Sequence, residues 1–196
     1  MAGEEIGPDD HRGYMRLALS LASSSQPLPT NFRVGAVIVD PITNTVLATG
    51  YTLELPGNTH AEQCCLRKLA TNAVKPLGEG VSGTEGGGND EDAEERAAGL
   101  LPPGGAVLYT TMEPCAKRLS ENLPCVDRIL RVRRRVAGKM ELGIKRVYVG
   151  VKEPETFVGQ NEGRAKLERA GVEVIAIGGM EEEILKVSTA GHEKKG

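Results

Sequence analysis

Four residues have the types and the spacing of a catalytic zinc site. His60 and Glu62 form a His-x-Glu pair, and Cys115 follows Pro114 and is separated by nine residues from Cys125. One imidazole and two thiolates give a zinc ion three protein ligands, which leaves the fourth tetrahedral position open for water. Because an open position is typical of catalytic zinc, we predict a Zn²⁺ cofactor held by His60, Cys115 and Cys125.

The carboxylate of Glu62 is the predicted catalytic group. Glu62 lies two residues from His60, so it can face the same site without binding the metal. Zinc lowers the pKa of a bound water to about 7, and a nearby carboxylate can take that proton and pass it to a departing amine. Zinc nucleobase deaminases divide the roles in this way, with a His-x-Glu, a distant Pro-Cys and a second cysteine. The pattern therefore predicts hydrolytic deamination of a pyrimidine-like ring.

Two structural interpretations compete with the catalytic one. Thr59 and Glu62 match a capping box, and a glutamate that reaches back to cap Thr59 cannot also reach zinc-bound water. A closed structural zinc would need a fourth ligand. The sequence offers four candidates for it, Cys64, Cys65, His11 and His192.

Helices and strands alternate around these residues. Apolar spacing predicts helices over 8–25, 59–73, 126–137 and 162–170, and a last helix that begins near residue 180. Short runs of aliphatic and β-branched residues predict strands over 34–39, 46–50, 106–111, 146–151 and 172–177. This alternation indicates an α/β sandwich with a mixed five-stranded sheet. About 20 residues separate the last two strands, which is enough for a helical crossover, so these two should be parallel.

The length predicts one domain that spans residues 1–196, because a single core is usual at this size. Neither helix nor strand pattern continues through 75–105, where glycines and an acidic run occur, so we expect a flexible surface insertion there. Residues 191–196 should be a frayed tail. The basic run 131–135 is interpreted as the solvated face of a helix or as part of an insertion, with a nucleic-acid patch as the alternative.

Charge and composition argue against nucleic acid and membrane partners. The net charge of -3 gives no overall attraction for a phosphate backbone. Aromatic residues make up only 3% of the chain, so side chains on which bases could stack are scarce. No apolar run reaches the roughly 20 residues that span a bilayer, and the acidic start lacks the features of a signal peptide. We therefore expect a cytoplasmic protein, in which spaced cysteines and histidines favour a metal site over disulfides.

Five segments together resemble the cytidine deaminase superfamily, and within it the riboflavin-pathway deaminases. They are 31–39 (NFRVGAVIV), 57–62 (GNTHAE), 108–115 (LYTTMEPC), 123–129 (LPCVDRI) and 149–154 (VGVKEP). Most members have two residues between the thiolates, whereas this chain has nine. The bacterial bifunctional enzymes of the pathway have a comparable loop but carry an extra histidine that would fall near Thr52. The chain is therefore more similar to the fungal type, and we expect a deaminase without a second domain.

The resemblance implies a three-layer α-β-α sandwich, a Zn²⁺ cofactor and a homodimer. It also implies a small-molecule substrate, a phosphorylated ribitylaminopyrimidine. The reaction would convert 2,5-diamino-6-ribitylamino-4(3H)-pyrimidinone 5′-phosphate to 5-amino-6-ribitylaminouracil 5′-phosphate and ammonia. The alternatives are a deaminase of a base in RNA or DNA, which the acidic balance and the nine-residue spacing disfavour, and a non-catalytic zinc-stabilised interaction module.

By the same resemblance, Asn31 matches an asparagine that hydrogen-bonds the substrate beside the zinc. We also expect substrate contacts from residues near the two ligand motifs. These are Glu54, Asn58, Ala61, Lys117, Arg118, Ser120 and Asn122. Arg118 is the best candidate for the phosphate, because its planar fork can donate two hydrogen bonds. The alternative is that these loop residues are plain surface.

Overall fold

A computed structural model describes residues 6–72, 90–120, 122–154 and 161–192. The helices are α1 (His11–Ala22), α2 (Ala61–Asn72), α3 (Asp90–Leu100), α4 (Cys125–Arg131), α5 (Gly163–Arg169) and α6 (Glu181–Ser188). The strands are β1 (Gly35–Asp40), β2 (Thr45–Tyr51), β3 (Ala106–Met112), β4 (Arg133–Val136), β5 (Lys139–Leu142), β6 (Ile144–Val151) and β7 (Glu173–Ala176). Within these ranges, no helix combines the length and the apolar character that crossing a membrane requires.

Five strands form one mixed sheet in the order β2-β1-β3-β6-β7. β1 pairs with β2 and with β3 in antiparallel register, whereas β3, β6 and β7 are parallel to one another. The predicted five-stranded sheet and the parallel arrangement of its last two members are confirmed. The predicted strand limits differ from the observed ones by at most two residues.

Helices cover both faces of the sheet, which confirms the three-layer sandwich. One apolar core lies between the sheet and the side chains of α2, α3, α4 and α5, and it includes Leu66, Leu101 and Ile129. The second core lies on the opposite face under α1 and α6, and it includes Met15 and Ile184. The sheet is buried on both faces because the alternate side chains of β1, β3 and β6 enter different cores.

The prediction of one helix over 126–137 is wrong. α4 ends at Arg131, and the basic run continues as an antiparallel ribbon of β4 and β5. Ala137 and Gly138 both have positive φ, 47° and 83°, which is the geometry of a two-residue hairpin turn. The arginines of 133–135 therefore lie on a two-stranded ribbon, where exposed and half-buried positions alternate.

The prediction of a flexible insertion over 75–105 is wrong for its second half. Residues 90–100 form α3, and its side chains at Ala93, Ala97 and Ala98 are buried in the first core together with Leu101. This apolar stripe has helical spacing, but alanine contributes little to a hydrophobic pattern among acidic neighbours. Residues 73–89 lie outside the described residues.

The predicted frayed tail is also corrected at its start. The His192 ring packs against Phe32, with 5.0 Å between ring centroids, and its Nε2 lies 3.0 Å from the carbonyl oxygen of Asn31. Residue 192 therefore contacts the segment that precedes β1. Residues 193–196 lie outside the described residues.

Candidate active site

The predicted zinc ligands meet at one edge of the sheet. α2 begins directly after His60, Cys115 follows the end of β3, and α4 begins at Cys125. Because β1 runs antiparallel to β3, the segment that leads into β1 reaches the same edge as the end of β3. Asn31 belongs to that segment, so the topology brings four separate parts of the chain together.

The three ligand atoms have the spacing that a tetrahedral zinc requires. His60 Nδ1 lies 3.4 Å from Cys125 Sγ and 3.6 Å from Cys115 Sγ, and all three atoms lie within 4.8 Å of one another. Bonds of about 2.0–2.1 Å to nitrogen and about 2.3 Å to sulfur place such donors about 3.6 Å apart. The residues therefore fit a zinc ion, and His60 would bind it through Nδ1.

Local hydrogen bonds favour negative charge on Cys115, whereas the hydrogen bond to Cys115 and burial raise the pKa of the Cys125 thiol. A hydrogen bond from the Cys125 side chain lowers the pKa of the Cys115 thiol to about 4, and contact with His60 acts in the same direction. The backbone N–H of Cys125, at the start of α4, also points at Cys115 Sγ across 3.5 Å. Cys115 is thereby prepared as a thiolate ligand before the metal arrives.

The Glu62 carboxylate faces the ligand cluster. Its Oε2 accepts from Cys125 Sγ at 3.3 Å, and its Oε1 accepts from the Thr110 hydroxyl at 3.4 Å. The Thr59 hydroxyl donates to the carbonyl of Leu55, so the side chains of Thr59 and Glu62 have different partners. Glu62 is buried, and this burial raises the pKa of its carboxyl group. The carboxylate lies where the catalytic interpretation requires it.

The candidates for a fourth zinc ligand lie elsewhere. Within the described ranges, the only group of potential metal ligands consists of His60, Cys115 and Cys125. His11 lies between the hydroxyls of Tyr109 and Tyr148, at 2.9 and 3.1 Å. His192 contacts Asn31 and Phe32, and Cys65 donates to the carbonyl of Ala36. Cys64 is a buried free thiol. The geometry thus supports a three-ligand zinc.

A cavity opens over the ligand cluster, and five of the predicted substrate residues line it. These are Asn31, Asn58, Lys117, Arg118 and Ser120. The last three belong to residues 116–124, which connect the two cysteines and are called the thiolate loop below. Glu121 of this loop lies outside the described residues.

Three predicted substrate residues do not line the cavity. The Glu54 carboxylate bonds the Lys68 ammonium and the backbone N–H of Tyr51, which holds it away from the site. Ala61 is fully buried. The side-chain amide of Asn122 donates a hydrogen bond to the Asn58 carbonyl. Substrate contacts from these three residues stay a prediction.

Arg118 is also engaged within the protein. Its guanidinium donates to the Asn58 carbonyl at 2.5 Å and to Gln63 Oε1 at 3.3 Å. These bonds use two of the five N–H groups of the side chain, so a second set of donors remains for a ligand. The bonds also fix the thiolate loop to the start of α2.

Glu153 lines the cavity although the sequence reasoning did not select it. One of its oxygens, Oε2, is buried with no hydrogen-bond partner in the described part of the chain. Burial raises the pKa of Glu153 to about 8, and negative charge on Cys115 and Glu62 adds to this effect. Its position just after β6 was the available signal, because ligands bind at the carboxyl ends of parallel strands. Thr30, Phe32 and Thr52 are further cavity residues that were not selected.

Comparison with known proteins agrees with the geometry. The family described as "Cytidine and deoxycytidylate deaminase zinc-binding region" matches residues 8–151. The "Diaminohydroxyphosphoribosylamino-pyrimidine deaminase" of Schizosaccharomyces pombe is 34% identical over 188 residues, which are 96% of this chain and 37% of that protein. The chain thus spans just over a third of the length of the curated relatives it matches first.

Solved structures extend this likeness to three dimensions. Aspergillus oryzae Rib2 deaminase, a C-terminal deletion mutant at pH 4.6, is 45% identical with a TM-score of 0.75, over 94% of this chain and 93% of that one. The same enzyme in complex with DARIPP is 43% identical with a TM-score of 0.74, over 95% and 93% of the two chains. With a matching family region that covers the ligand motifs and a three-ligand metal group in the fold, the chain belongs to the cytidine and deoxycytidylate deaminase zinc-binding family.

Proposed function

We propose that this chain is a zinc-dependent hydrolytic deaminase that acts on a phosphorylated aminopyrimidine of riboflavin biosynthesis. The observation that carries the proposal is the position of the Glu62 carboxylate, beside the three zinc ligands at the floor of a cavity. A non-catalytic zinc module has no need for a buried carboxylate at that point, and burying such a group is costly.

The reaction exchanges the amino group of a ring carbon for the oxygen of water. A carbon–oxygen bond forms, the carbon–nitrogen bond breaks and ammonia leaves. Zinc in this site would lower the pKa of a water molecule in its fourth position. Glu62 can transfer both protons of that water, the first to the ring nitrogen next to the reacting carbon and the second to the departing amine. The raised pKa of Glu62 suits this role, since an acid–base group works best when its pKa lies near the working pH.

The polar groups of the cavity indicate how the ring is held. The Asn31 side-chain amide lies at the cavity wall, 3.4 Å from Asn58 Oδ1, and can bond the ring edge beside the zinc. The Ser120 hydroxyl is buried with no partner among the described residues. Lys117 and Arg118 supply positive charge at the same cavity, which suits a phosphate.

Two further observations support the riboflavin pathway. A relative that matches 96% of this chain is named "Diaminohydroxyphosphoribosylamino-pyrimidine deaminase", and a similar solved structure is in complex with DARIPP. Thr52 lines the cavity, and the extra histidine of the bacterial bifunctional enzymes would fall near this residue. This chain has no histidine there, which favours the fungal type. We therefore propose 2,5-diamino-6-ribitylamino-4(3H)-pyrimidinone 5′-phosphate as substrate and 5-amino-6-ribitylaminouracil 5′-phosphate as product. The homodimer and the cytoplasmic location stay predictions.

Ammonia release from a panel of amines tests the proposal. The purified protein should release ammonia from the ribityl pyrimidine phosphate faster than from its ribosyl counterpart, cytidine or tRNA. Glu62→Gln should retain zinc and fold but lose about 10²- to 10⁴-fold in turnover, because an amide cannot take a proton from water. Glu95→Gln, at an exposed position of α3, is the control for loss of a carboxylate. Wild-type turnover in Glu62→Gln would exclude the catalytic role.

A further inference from the structure

A buried ion pair lies behind the thiolate loop. Arg128 is one turn beyond Cys125 in α4, and its guanidinium donates to Glu94 Oε1 of α3 at 2.6 Å. Both side chains are only 2% exposed. Arg128 Nε also lies 3.3 Å from the carbonyl oxygen of Leu123, to which it donates. The pair therefore links α3 to the far end of the thiolate loop.

A buried ion pair at this position is a poor way to gain stability. Taking two charges out of water costs free energy, and apolar residues of similar size often stabilise a fold as well or better. The surroundings of the pair are apolar, since Ala93, Ala97 and Ile129 are all buried nearby in the first core. Apolar side chains could not donate a hydrogen bond to the Leu123 carbonyl, whereas the Arg128 guanidinium does.

Among the described residues, the thiolate loop has few other polar attachments to the body of the protein. Its first residue, Ala116, donates its N–H to Asn161 Oδ1 at 3.1 Å. Its middle is held by Arg118 and Asn122, which both donate to the carbonyl of Asn58. At its last turn, Pro124 has no N–H to donate, and its carbonyl accepts from the backbone N–H of Arg128 at 3.1 Å. The Leu123 carbonyl is the group that the Arg128 side chain holds.

We infer that Glu94 and Arg128 are positioning residues for the thiolate loop. Glu94 fixes the orientation of the guanidinium, and the guanidinium fixes the Leu123 carbonyl. The side chains of Lys117 and Ser120 are thereby held toward the cavity. Helix α3 thus contributes to substrate binding without touching the cavity, and this consequence for substrate rests on the proposed function.

A double variant separates positioning from stability. Glu94→Leu with Arg128→Met removes both charges together, so neither is left buried alone and the fold should be retained. We expect KM for the ribityl pyrimidine phosphate to rise by about tenfold, the order of one hydrogen bond from a charged donor, with kcat and zinc content nearly unchanged. Trypsin should also cleave the folded double variant after Lys117 and Arg118 faster than it cleaves the wild-type protein. Mass spectrometry identifies the cut sites.

Two single variants complete the design. Arg128→Lys keeps a cation for Glu94 but cannot hold two partners in the fork geometry of a guanidinium, so it should raise KM in the same direction. If the double variant does not fold, KM of Arg128→Lys tests the positioning role in its place. Arg134→Met is the matched control, because Arg134 donates to the carbonyl of Leu101 beyond the end of α3 and has no bond to the described residues of the loop.

Unchanged KM and unchanged trypsin cleavage in the folded variants would overturn the inference. An equal rise of KM in Arg134→Met would do the same, since it would assign the effect to α3 packing in general. Loss of the proposed function is a different result. If the wild-type protein does not deaminate the pyrimidine phosphate, the proposed function fails, while trypsin cleavage at the loop still measures the positioning.

Discussion

Gly50 of β2 lies directly beneath the start of α2, and its replacement should disturb the zinc site without changing any ligand. A Cβ added at Gly50 would lie 2.4 Å from the Ala61 carbonyl oxygen and 2.8 Å from the Cys65 backbone nitrogen. The first distance is about 1 Å shorter than the 3.4 Å at which ordinary van der Waals contact begins. Both atoms belong to the backbone, so neither can rotate away. Gly50→Ala must therefore move the first turn of α2 by about 1 Å.

That displacement acts on His60 and Glu62 together, because both are carried by the start of α2. A misplacement of about 1 Å at a reacting group can cost about 10²-fold in rate. Overpacking of a core costs about 1–3 kcal/mol, which for a domain of this size lowers Tm by about 2–12 °C. We expect kcat/KM to fall by about 100-fold and the zinc content of the folded protein to decrease.

The measurements are Tm, zinc per chain and kcat/KM on the proposed substrate. Gly99→Ala is the control, since Gly99 lies in α3 and an added Cβ would meet nothing within 4 Å. That variant should gain up to about 1 kcal/mol from helix propensity and keep its activity. A Gly50→Ala protein with one zinc per chain and wild-type kcat/KM would show that α2 is not held against the sheet as the structure indicates.

Two further predictions concern the core and the cavity. Leu101→Ala should destabilise the protein by about 2–5 kcal/mol in urea unfolding, because Leu101 is buried in the first core, whereas Leu100→Ala, at a position that is 39% exposed, should change stability little. Equal losses of stability in Leu101→Ala and Leu100→Ala would place 90–101 outside the core. For Glu153, burial raises the pKa from 4.5 to about 8 in the folded protein, so its contribution to stability is full below pH 4.5 and is lost as the pH rises through 8. Glu153→Gln, which has no charge to bury, should therefore raise Tm relative to the wild type at pH 8.5 but not at pH 4.5, and a constant difference between the two pH values would contradict this assignment.

The zinc ligands and Glu62 could be selected from sequence because the chemistry restricts their types and spacing. A three-ligand zinc needs histidine and cysteine, and the proton-transfer group must lie close to one ligand. The strands were predictable for a related reason, since a sheet buried on both faces requires continuous aliphatic runs. The zinc ligands, Glu62 and the strands each depend on short stretches of chain, so the sequence alone predicts them.

Features that depend on partners distant in the sequence were missed. The bond between Lys68 and the Glu54 carboxylate is one of them, because no local pattern indicates that pairing. Glu153 was not expected, because its position becomes visible only when β6 is placed beside β3. The Ala137-Gly138 turn was a local signal, but the helical spacing of the preceding residues suggested a longer helix. Helix α3 was missed because its buried face is mostly alanine.

The three ligands have a consequence for how the chain tolerates changes in length. Zinc closes two rings, one across the 55 positions from His60 to Cys115 and one across the 10 positions from Cys115 to Cys125. The entropy lost on closing a ring grows with the logarithm of its length. Seventeen added residues, as many as 73–89 contains, would cost about 0.2 kcal/mol in the large ring and about 0.9 kcal/mol in the small one. The corresponding losses of zinc affinity are about 1.5-fold and about fourfold. Length added between α2 and α3 should therefore change zinc affinity little, whereas length added between the two cysteines should weaken it more.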